Sequence, residues 1–191
     1  MISYLFKDGI CFWGAMQIVA LLISLLLVLR QVRLQNKVHL ITSVNILLTK
    51  WRSEMYLKAR RHVCENYSPD RTEFDHASSL VAGFFEELGV YWKKGVVDED
   101  ILWEFFSDQT VSYWAILKNQ LLTIRKELDD SFFSNFISFY QRVQIICKKK
   151  KLPHSDLTAE EISKVIKGEM NNIQYMEISQ DLSIKADSTS D

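Results

Sequence analysis

The stretch from Gly9 to Leu29 constrains this chain more than any other, because it contains no charged residue. Residues 10–29 form about 20 positions, which as a helix at 1.5 Å per residue span about 30 Å. That length matches the hydrocarbon layer of a bilayer, and an uncharged run of this size is typical of a membrane-crossing helix. The sequence therefore predicts a transmembrane helix over residues 10–29.

The residues on either side of this stretch support the same prediction. Trp13 lies near its start, where aromatic side chains favour the membrane interface, and Arg30, Arg33 and Lys37 follow its end. Positive charge is enriched on the cytoplasmic side of membrane proteins. We therefore expect a single-pass protein of the inner (plasma) membrane, with residues 1–9 outside and the C-terminus in the cytoplasm.

Two other interpretations of the stretch are less favoured. A cleaved signal peptide would need a small-x-small cleavage site, whereas RQVRLQ follows Leu29. A buried core helix would need neither the aromatic residue at the start nor the basic residues at the end. Within the stretch, Gln17, Ala20 and Ser24 are candidates for association between helices inside the membrane, because small residues allow close approach and a glutamine can hydrogen-bond across an interface. Plain anchors contain such residues too, so association within the membrane and simple anchorage both stay open.

Helical periodicity continues beyond the uncharged stretch. Neither glycine nor proline occurs between Ala15 and Tyr67, which predicts that the first helix passes unbroken into the following part of the chain. Ser68 followed by Pro69 is typical of the start of a second helix, and Gly95 is typical of its end.

Two further helices complete the predicted domain. Acidic residues from Asp98 onward favour the start of the third helix. Its apolar stripe is interrupted by a step of five between Leu128 and Phe133, so Asp129–Ser131 is predicted to form a turn before the fourth. Short connections make consecutive helices antiparallel. The predicted fold is all-α, with the transmembrane helix continuing into a cytoplasmic up-down bundle of about four helices over residues 30–151 and a short C-terminal helix.

The last part of the chain differs in charge. From Leu152 onward, eight acidic residues and three lysines give a net charge of −5. Thr158 and Glu161 match a capping box, which predicts a short capped helix within residues 152–170. The remainder, residues 171–191, is acidic and rich in serine and aspartate, and it is predicted to be a disordered tail.

Lysines occur together at the ends of two predicted helices, at positions Lys93, Lys94, Lys148, Lys149, Lys150 and Lys151. If consecutive helices alternate in direction, both groups lie on the side of the bundle that faces the membrane, where they would contact anionic lipid. The alternative is that they complement helix dipoles and keep the surface soluble. Membrane lipid is an expected partner, with the alternative left open.

Reactive residue types are densest in KARRHVCENY, residues 58–67. His62 and Cys64 are two positions apart and point to different faces of a helix, so they cannot chelate one metal ion unaided. The three cysteines form no paired motif, and the chain contains no HExxH, phosphate-binding glycine loop or GxSxG motif. We therefore predict no catalytic residue, metal site or cofactor. A net charge of −1 without interleaved aromatic and basic residues also argues against nucleic-acid binding.

Three segments, WRSEMYLKARRHV, FFEELGVYWKKGVVDEDILWEFF and VSYWAILKNQLLTIRKE, resemble a bacterial family of unknown function. The resemblance covers residues 10–145, and it implies small inner-membrane proteins with one N-terminal transmembrane helix and a cytoplasmic helical domain. The family positions that it implies are Trp51, Arg60, Phe85, Gly89, Gly95, Trp103 and Trp114. It assigns none of them a chemical role.

These observations predict a non-enzymatic, membrane-anchored module. Its helical domain is expected to bind an unknown protein partner or a second copy of the chain, in signalling, assembly or defence against phage. The alternative is a membrane effector, whose oligomerised anchors would perturb the bilayer or conduct across it.

Overall fold

The structure is a computed structural model that describes residues 9–152 and 156–187, with their side chains except at 9–12, 15, 33, 34, 36–40 and 180–187. Within these ranges the chain is all-helical, as the sequence predicts. The helices are α1 (Gly9–Trp51), α2 (Glu54–Glu65), α3 (His76–Lys93), α4 (Glu99–Glu127), α5 (Ser134–Lys149) and α6 (Ala159–Asp187). The chain divides into two compact units, Met1–Thr42 and Ser43–Asp191.

The predicted transmembrane helix over residues 10–29 is wrong. No helix in the part of the chain that the structure describes is both long and apolar enough to cross a membrane. A crossing of the hydrocarbon layer needs about 20 successive apolar residues. The predicted inner-membrane location depends on the same helix and is corrected with it. Residues 1–8 of the predicted outer segment lie outside the described residues.

The first helix ends earlier than the absence of glycine and proline predicts. α1 ends at Trp51 and α2 begins at Glu54. Between them, the hydroxyl of Ser53 donates to the carbonyl of Lys50 at 2.8 Å, and Nη1 of Arg60 donates to the carbonyl of Trp51 at 3.0 Å. Carbonyls at a helix end need donors of this kind. Side chains that supply them can end a helix without a breaking residue.

The second predicted helix begins later than expected. α3 starts at His76 after the N-cap Asp75, whose Oδ1 accepts from the backbone N–H of Ser78 at 2.7 Å. The predicted start at Ser68 and Pro69 is therefore wrong. A carboxylate that accepts a backbone N–H is a strong N-cap, and Asp75 takes that role.

The turn between α3 and α4 agrees with the sequence. Gly95 has a left-handed backbone, with φ of 62°. Its N–H donates to the carbonyl of Trp92, and the N–H of Val96 donates to the carbonyl of Tyr91, both at 3.0 Å. This is a Schellman arrangement, in which glycine avoids steric strain. Asp98 then caps α4 as predicted.

The start of α5 is capped from a neighbouring helix. The turn at Asp129–Ser131 forms as predicted, but Phe133 precedes α5 in a left-handed conformation and provides no side-chain cap. Glu86 of α3 provides one instead, because its carboxylate accepts from the N–H of Phe136 at 2.8 Å and from Nδ2 of Asn135 at 2.6 Å. A residue about 50 positions away thus performs a capping role that is usually local.

The last helix is much longer than predicted. The capping box is confirmed, since Glu161 accepts from the N–H of Thr158 at 2.8 Å and donates its own N–H to Thr158 at 3.3 Å. However, α6 continues to Asp187, through most of the segment predicted to be disordered. Ile173, which is 0% exposed, gives this part of the helix a buried contact. Residues 188–191 lie outside the described residues.

The core surrounds α3, which packs against α2, α4 and α5, while α6 packs against α2 and α4. Trp51 stacks on Phe84 with ring centroids 4.5 Å apart and meets Tyr113 edge-on at 5.4 Å. Phe85 stacks on Phe136 at 4.9 Å. The predicted four-helix bundle is therefore incomplete, because α6 contributes to the packing and α3 contacts three other helices.

We expect Gly89→Ala to destabilise the protein by about 2–3 kcal/mol, because a crowded core does not accept an added methyl group. A Cβ at Gly89 would lie 2.5 Å from the carbonyl carbon of Asn135 in α5. At Gly83, on the same helix, an added Cβ would meet no atom within 4 Å, so Gly83→Ala should stabilise by about 0.5–1 kcal/mol. Urea unfolding of both variants measures the difference, and equal effects would contradict the close approach of α3 and α5.

Candidate functional site

Arg60 is a charged residue in the core, with only 2% of its surface exposed. It lies on the same inward face of α2 as Tyr56 and Val63, which are also buried. Its guanidinium carbon is 4.3 Å from the ring centroid of Trp51, and Nη1 donates to the Trp51 carbonyl. A buried charge is costly unless a counter-ion and hydrogen bonds compensate for lost hydration. Arg60 therefore needs an acidic partner.

That partner comes from α6. Nε of Arg60 donates to Oε1 of Glu169 at 2.7 Å, and Nη2 forms an ion pair with the same oxygen. The hydroxyl of Tyr113 on α4 also donates to Glu169, at 2.6 Å. Burial raises the pKa of Tyr113 well above its ordinary value, and the charge of Glu169 adds to the effect, so the phenol stays a donor. We call Trp51, Arg60, Tyr113 and Glu169 the Arg60 cluster.

Two other reactive residues of KARRHVCENY, Cys64 and His62, lie on different sides of α2. Cys64 is buried, and burial raises the pKa of its thiol to about 12, with the charge of Glu169 contributing. A thiol with such a pKa is almost entirely protonated at neutral pH and is a poor nucleophile. His62 instead lies on the exposed side of α2. Within the described residues, no group of three His, Cys, Asp or Glu side chains could hold a metal ion.

A second ion pair lies farther along α6, where Arg61 contacts Glu177. Glu169, Ile173 and Glu177 are spaced four residues apart, so they share one face of the helix. Both carboxylates of this face contact arginines of α2, and the isoleucine between them is fully buried. We call these three residues the acidic stripe of α6.

The acidic stripe lies over the groove between α2 and α4, and α6 packs incompletely against α4. Among the described side chains of α6, only Ile162 and Ile173 are buried. A cavity of about 270 Å³ remains beside Tyr113 and Glu169, and a larger one of about 600 Å³ lies beside Val165. Loosely packed helices have lower local stability than close-packed ones. The ion pairs therefore add to the apolar contacts that Val165, Ile166 and Met170 make with the core in holding α6 in place.

Asp75 forms a separate polar cluster at the start of α3. Its carboxylate accepts from the N–H of Ser78, contacts Nε2 of His62 at 2.9 Å and pairs with Nη2 of Arg71 at 2.8 Å. Burial opposes ionisation of this carboxyl, but these donors outweigh it and lower its pKa to about 2. The cluster joins the end of α2 to the start of α3.

The predicted basic residues do not all lie together. Nζ of Lys93 donates to Oδ1 of Asn135 in the first turn of α5 at 2.8 Å, whereas Nζ of Lys150, at the end of α5, lies 3.5 Å from the ring centroid of Trp103. The two contacts are about 22 Å apart along the helix axis. The other predicted lysines are exposed, at positions Lys94, Lys148, Lys149 and Lys151.

The residues predicted for a membrane interface and for association lie on α1. Trp13 is 68% exposed and Arg30 is exposed as well, while the side chains of Arg33 and Lys37 lie outside the described residues. Gln17, Ala20 and Ser24 line one shallow depression of the first unit together with Leu21.

Most of the chain matches a known protein family. Residues 15–143 match the model of the family described as Domain of unknown function (DUF4760). The chain belongs to this family. No curated protein and no solved structure matches it. The DUF4760 match contains the groove formed by α2 and α4, including Arg60 and Tyr113, but it ends at Val143 and does not include α6.

Glu169, the counter-ion of the Arg60 cluster, is a residue that the sequence patterns did not single out. Its spacing with Ile173 and Glu177 was visible as an acid–aliphatic–acid repeat in four-residue steps. The acidic composition of the tail instead favoured disorder. The groove of this DUF4760 member provides the arginines that make the repeat a packed helix face.

We expect the Asp75→Asn variant to be less stable than the natural protein at neutral pH and nearly as stable near pH 2. The folded-state pKa of Asp75 lies below its ordinary value of 3.8, so the ionised carboxylate adds stability above pH 4 and loses it as the pH falls through about 2. Urea unfolding between pH 7 and 2 measures the difference. Asp75→Ala should lose about a further 1 kcal/mol at every pH, because alanine cannot cap α3. A pH-independent difference for Asp75→Asn would contradict this account.

We expect Glu169→Gln to reduce the free energy of unfolding by about 3 kcal/mol, because it leaves the buried Arg60 charge without a counter-ion. Glu177→Gln removes the half-exposed pair with Arg61 and should cost less than about 1 kcal/mol. Denaturant unfolding, followed by circular dichroism, compares the two variants. A loss at Glu169 no larger than that at Glu177 would contradict the importance of burial.

Proposed function

We propose that this chain is a non-enzymatic interaction module whose groove between α2 and α4 binds an acidic amphipathic helix. In the structure, α6 occupies that groove. The observation that carries the proposal is the buried ion pair between Arg60 and Glu169, because the charge on one side of it is supplied by a separate helix.

The electrostatics of the groove favour an acidic occupant. Apart from Glu169, the described contacts of Arg60 are the carbonyl and ring of Trp51 and the hydroxyl of Tyr113. All of these are neutral groups. A buried guanidinium that loses its carboxylate partner typically costs 3–5 kcal/mol of stability. A helix that offers a carboxylate at this point is therefore strongly preferred over one that does not.

The family match supports the view that the groove and the acidic helix that fills it are separate parts of the interaction. Arg60 and Tyr113 lie within the matched residues 15–143, whereas the acidic stripe lies beyond them. Recognition of an amphipathic helix in a groove through anchors on one face is a common mode of protein interaction. The partner class is thus a helix with a carboxylate, an aliphatic side chain and a second carboxylate at four-residue steps.

The more specific expectations stay predictions. The α6 helix of a second copy has the required stripe, which makes homo-oligomerisation one form of the proposed interaction. Lipid contact by the lysines, a bacterial origin, and roles in signalling, assembly or phage defence have no further support.

A peptide corresponding to residues 157–187 tests the proposal. In the natural chain, the resident α6 competes with the peptide at a high effective concentration. In the Glu169→Gln chain that competition is weakened, so we expect the natural peptide to bind at least tenfold more tightly than it binds the natural chain. Fluorescence anisotropy of labelled peptide measures both affinities.

Two variant peptides test whether the measured binding depends on the ion pair between Arg60 and Glu169. A peptide with Glu169→Gln should bind the variant chain at least tenfold more weakly than the natural peptide does. A peptide with Glu160→Gln should bind normally, because Glu160 is exposed and its ion pair among the described residues is with Lys164 of its own helix. The proposal is wrong if the natural peptide shows no saturable binding, or if the Glu169 and Glu160 peptides behave alike.

A further inference from the structure

The end of α5 has the same backbone motif as the end of α3, but with lysine in place of glycine. The N–H of Lys151 donates to the carbonyl of Lys148 at 3.2 Å, and the N–H of Leu152 donates to the carbonyl of Cys147 at 2.9 Å. The φ of Lys151 is 56°, close to the 62° of Gly95. A residue with a Cβ is strained in this left-handed region, whereas glycine is not. The connection from α5 to α6 therefore begins with a strained residue.

The main contacts of α6 are with helices distant in the sequence. Among the described residues, α6 packs against α2 and α4 rather than against α5, the helix that precedes it. The acidic stripe places Glu169 on Arg60 and Glu177 beside Arg61. The same contacts form whether α6 comes from the same chain or from a second copy. Two chains that exchange α6 therefore keep every contact of the stripe.

The exchanged segment also includes the last part of the connection. Nζ of Lys118 and the hydroxyl of Tyr140 each donate to the carboxylate of Asp156 at 2.8 Å. These contacts, too, form again when Asp156 comes from a second copy. Exchange then costs no contact of α6, and it allows Lys151 to leave its left-handed conformation. Strained hinges of this kind favour exchange of an element between identical chains.

We propose that two copies of this chain exchange α6, so that Glu169 of each copy pairs with Arg60 of the other. This proposal rests on the proposed function, because it takes the acidic helix of the groove from a second copy. The charges favour this occupant, since α6 of a second copy offers both carboxylates of the acidic stripe to Arg60 and Arg61. We call the resulting pair of chains the exchanged dimer, in which each groove is incomplete without the other copy.

Cross-linking between two different variants detects the exchange. One full chain carries Arg61→Cys and the other carries Glu177→Cys, both with Cys11→Ser, while Cys64 and Cys147 are buried. The chains are unfolded together in urea and refolded at high concentration. We expect a short bismaleimide to join them into a product of twice the chain mass, because these two side chains form an ion pair.

Two control samples define what the product means. A chain with both cysteines, refolded when dilute, should be linked within itself, which shows that the two positions are within reach of the reagent. Lys94→Cys replaces Arg61→Cys in the second control. Lys94 is exposed and follows the end of α3, about 27 Å from the end that contacts α2 through Asp75. This mixture should give no more product than the Glu177→Cys chain alone.

The hinge is tested by two substitutions at one position. Lys151→Gly removes the strain from the unexchanged chain, and each exchanged dimer contains two hinges. We therefore expect Lys151→Gly to raise the dissociation constant of the exchanged dimer at least about tenfold. Lys151→Ala removes the charge but keeps the Cβ, so it should leave this constant unchanged. The yield of cross-linked product as a function of chain concentration measures both constants.

The outcomes separate this proposal from the proposed function. Exchange is overturned if the chain with both cysteines is linked but the mixed chains are not, or if the Lys94→Cys mixture is linked as readily. It is also overturned if Lys151→Gly and Lys151→Ala exchange alike. If the chain with both cysteines is not linked at all, α6 does not lie against α2, and the proposed function fails together with the exchange.

Discussion

The ion pair between Arg60 and Glu169 is the interaction on which the arrangement of the helices depends. A guanidinium with 2% of its surface exposed has lost nearly all of its hydration, and only a carboxylate with good geometry compensates for that loss. The pair joins α2 to α6, Tyr113 adds α4, and the Trp51 carbonyl adds the end of α1. Since a domain is stable by only about 5–15 kcal/mol, the few kcal/mol at stake in one buried charge are a large fraction of the total.

The same principle governs several helix ends in this protein. Arg60 binds the carbonyl at the end of α1, and Glu86 of α3 caps the first turn of α5. Asp75 caps its own helix but also contacts His62 on α2. The polar groups that every helix leaves unsatisfied at its ends are here often satisfied by other helices. Helix boundaries and tertiary packing are consequently linked, and a change in one alters the other.

This linkage explains which boundaries the sequence predicts. Gly95, Asp98 and the pair Thr158 with Glu161 act within a few residues of themselves, and each was predicted correctly. The break after Trp51 was missed because its donor, Arg60, lies nine residues farther along and reaches back only in the folded chain. The span over residues 10–29 was predicted from its length, its lack of charge and the aromatic and basic residues at its ends, all of which are local features of the sequence.

The sequence likewise indicated one part of the candidate site and missed the other. The sequence indicated KARRHVCENY as the densest group of reactive side chains, and two of its members, Arg60 and Cys64, are buried beside Glu169. No local pattern pairs Glu169 with Arg60, because Glu169 lies 109 positions away in a segment whose acidic composition favoured disorder. An acidic segment can fold where a neighbouring surface compensates its charge and buries its apolar residues, and such a surface is a property of the fold.

By itself, the sequence determined the all-α class, the turn at Gly95 and the caps at Asp98 and Thr158, because helical period and capping act over a few residues. Only the tertiary structure decided which helices meet. It placed Glu169 on Arg60, Glu86 at the start of α5 and Gly89 against Asn135. The physical reason is that the free energy of a buried charge or a close backbone contact depends on groups brought near in space, at separations along the chain that no local pattern records.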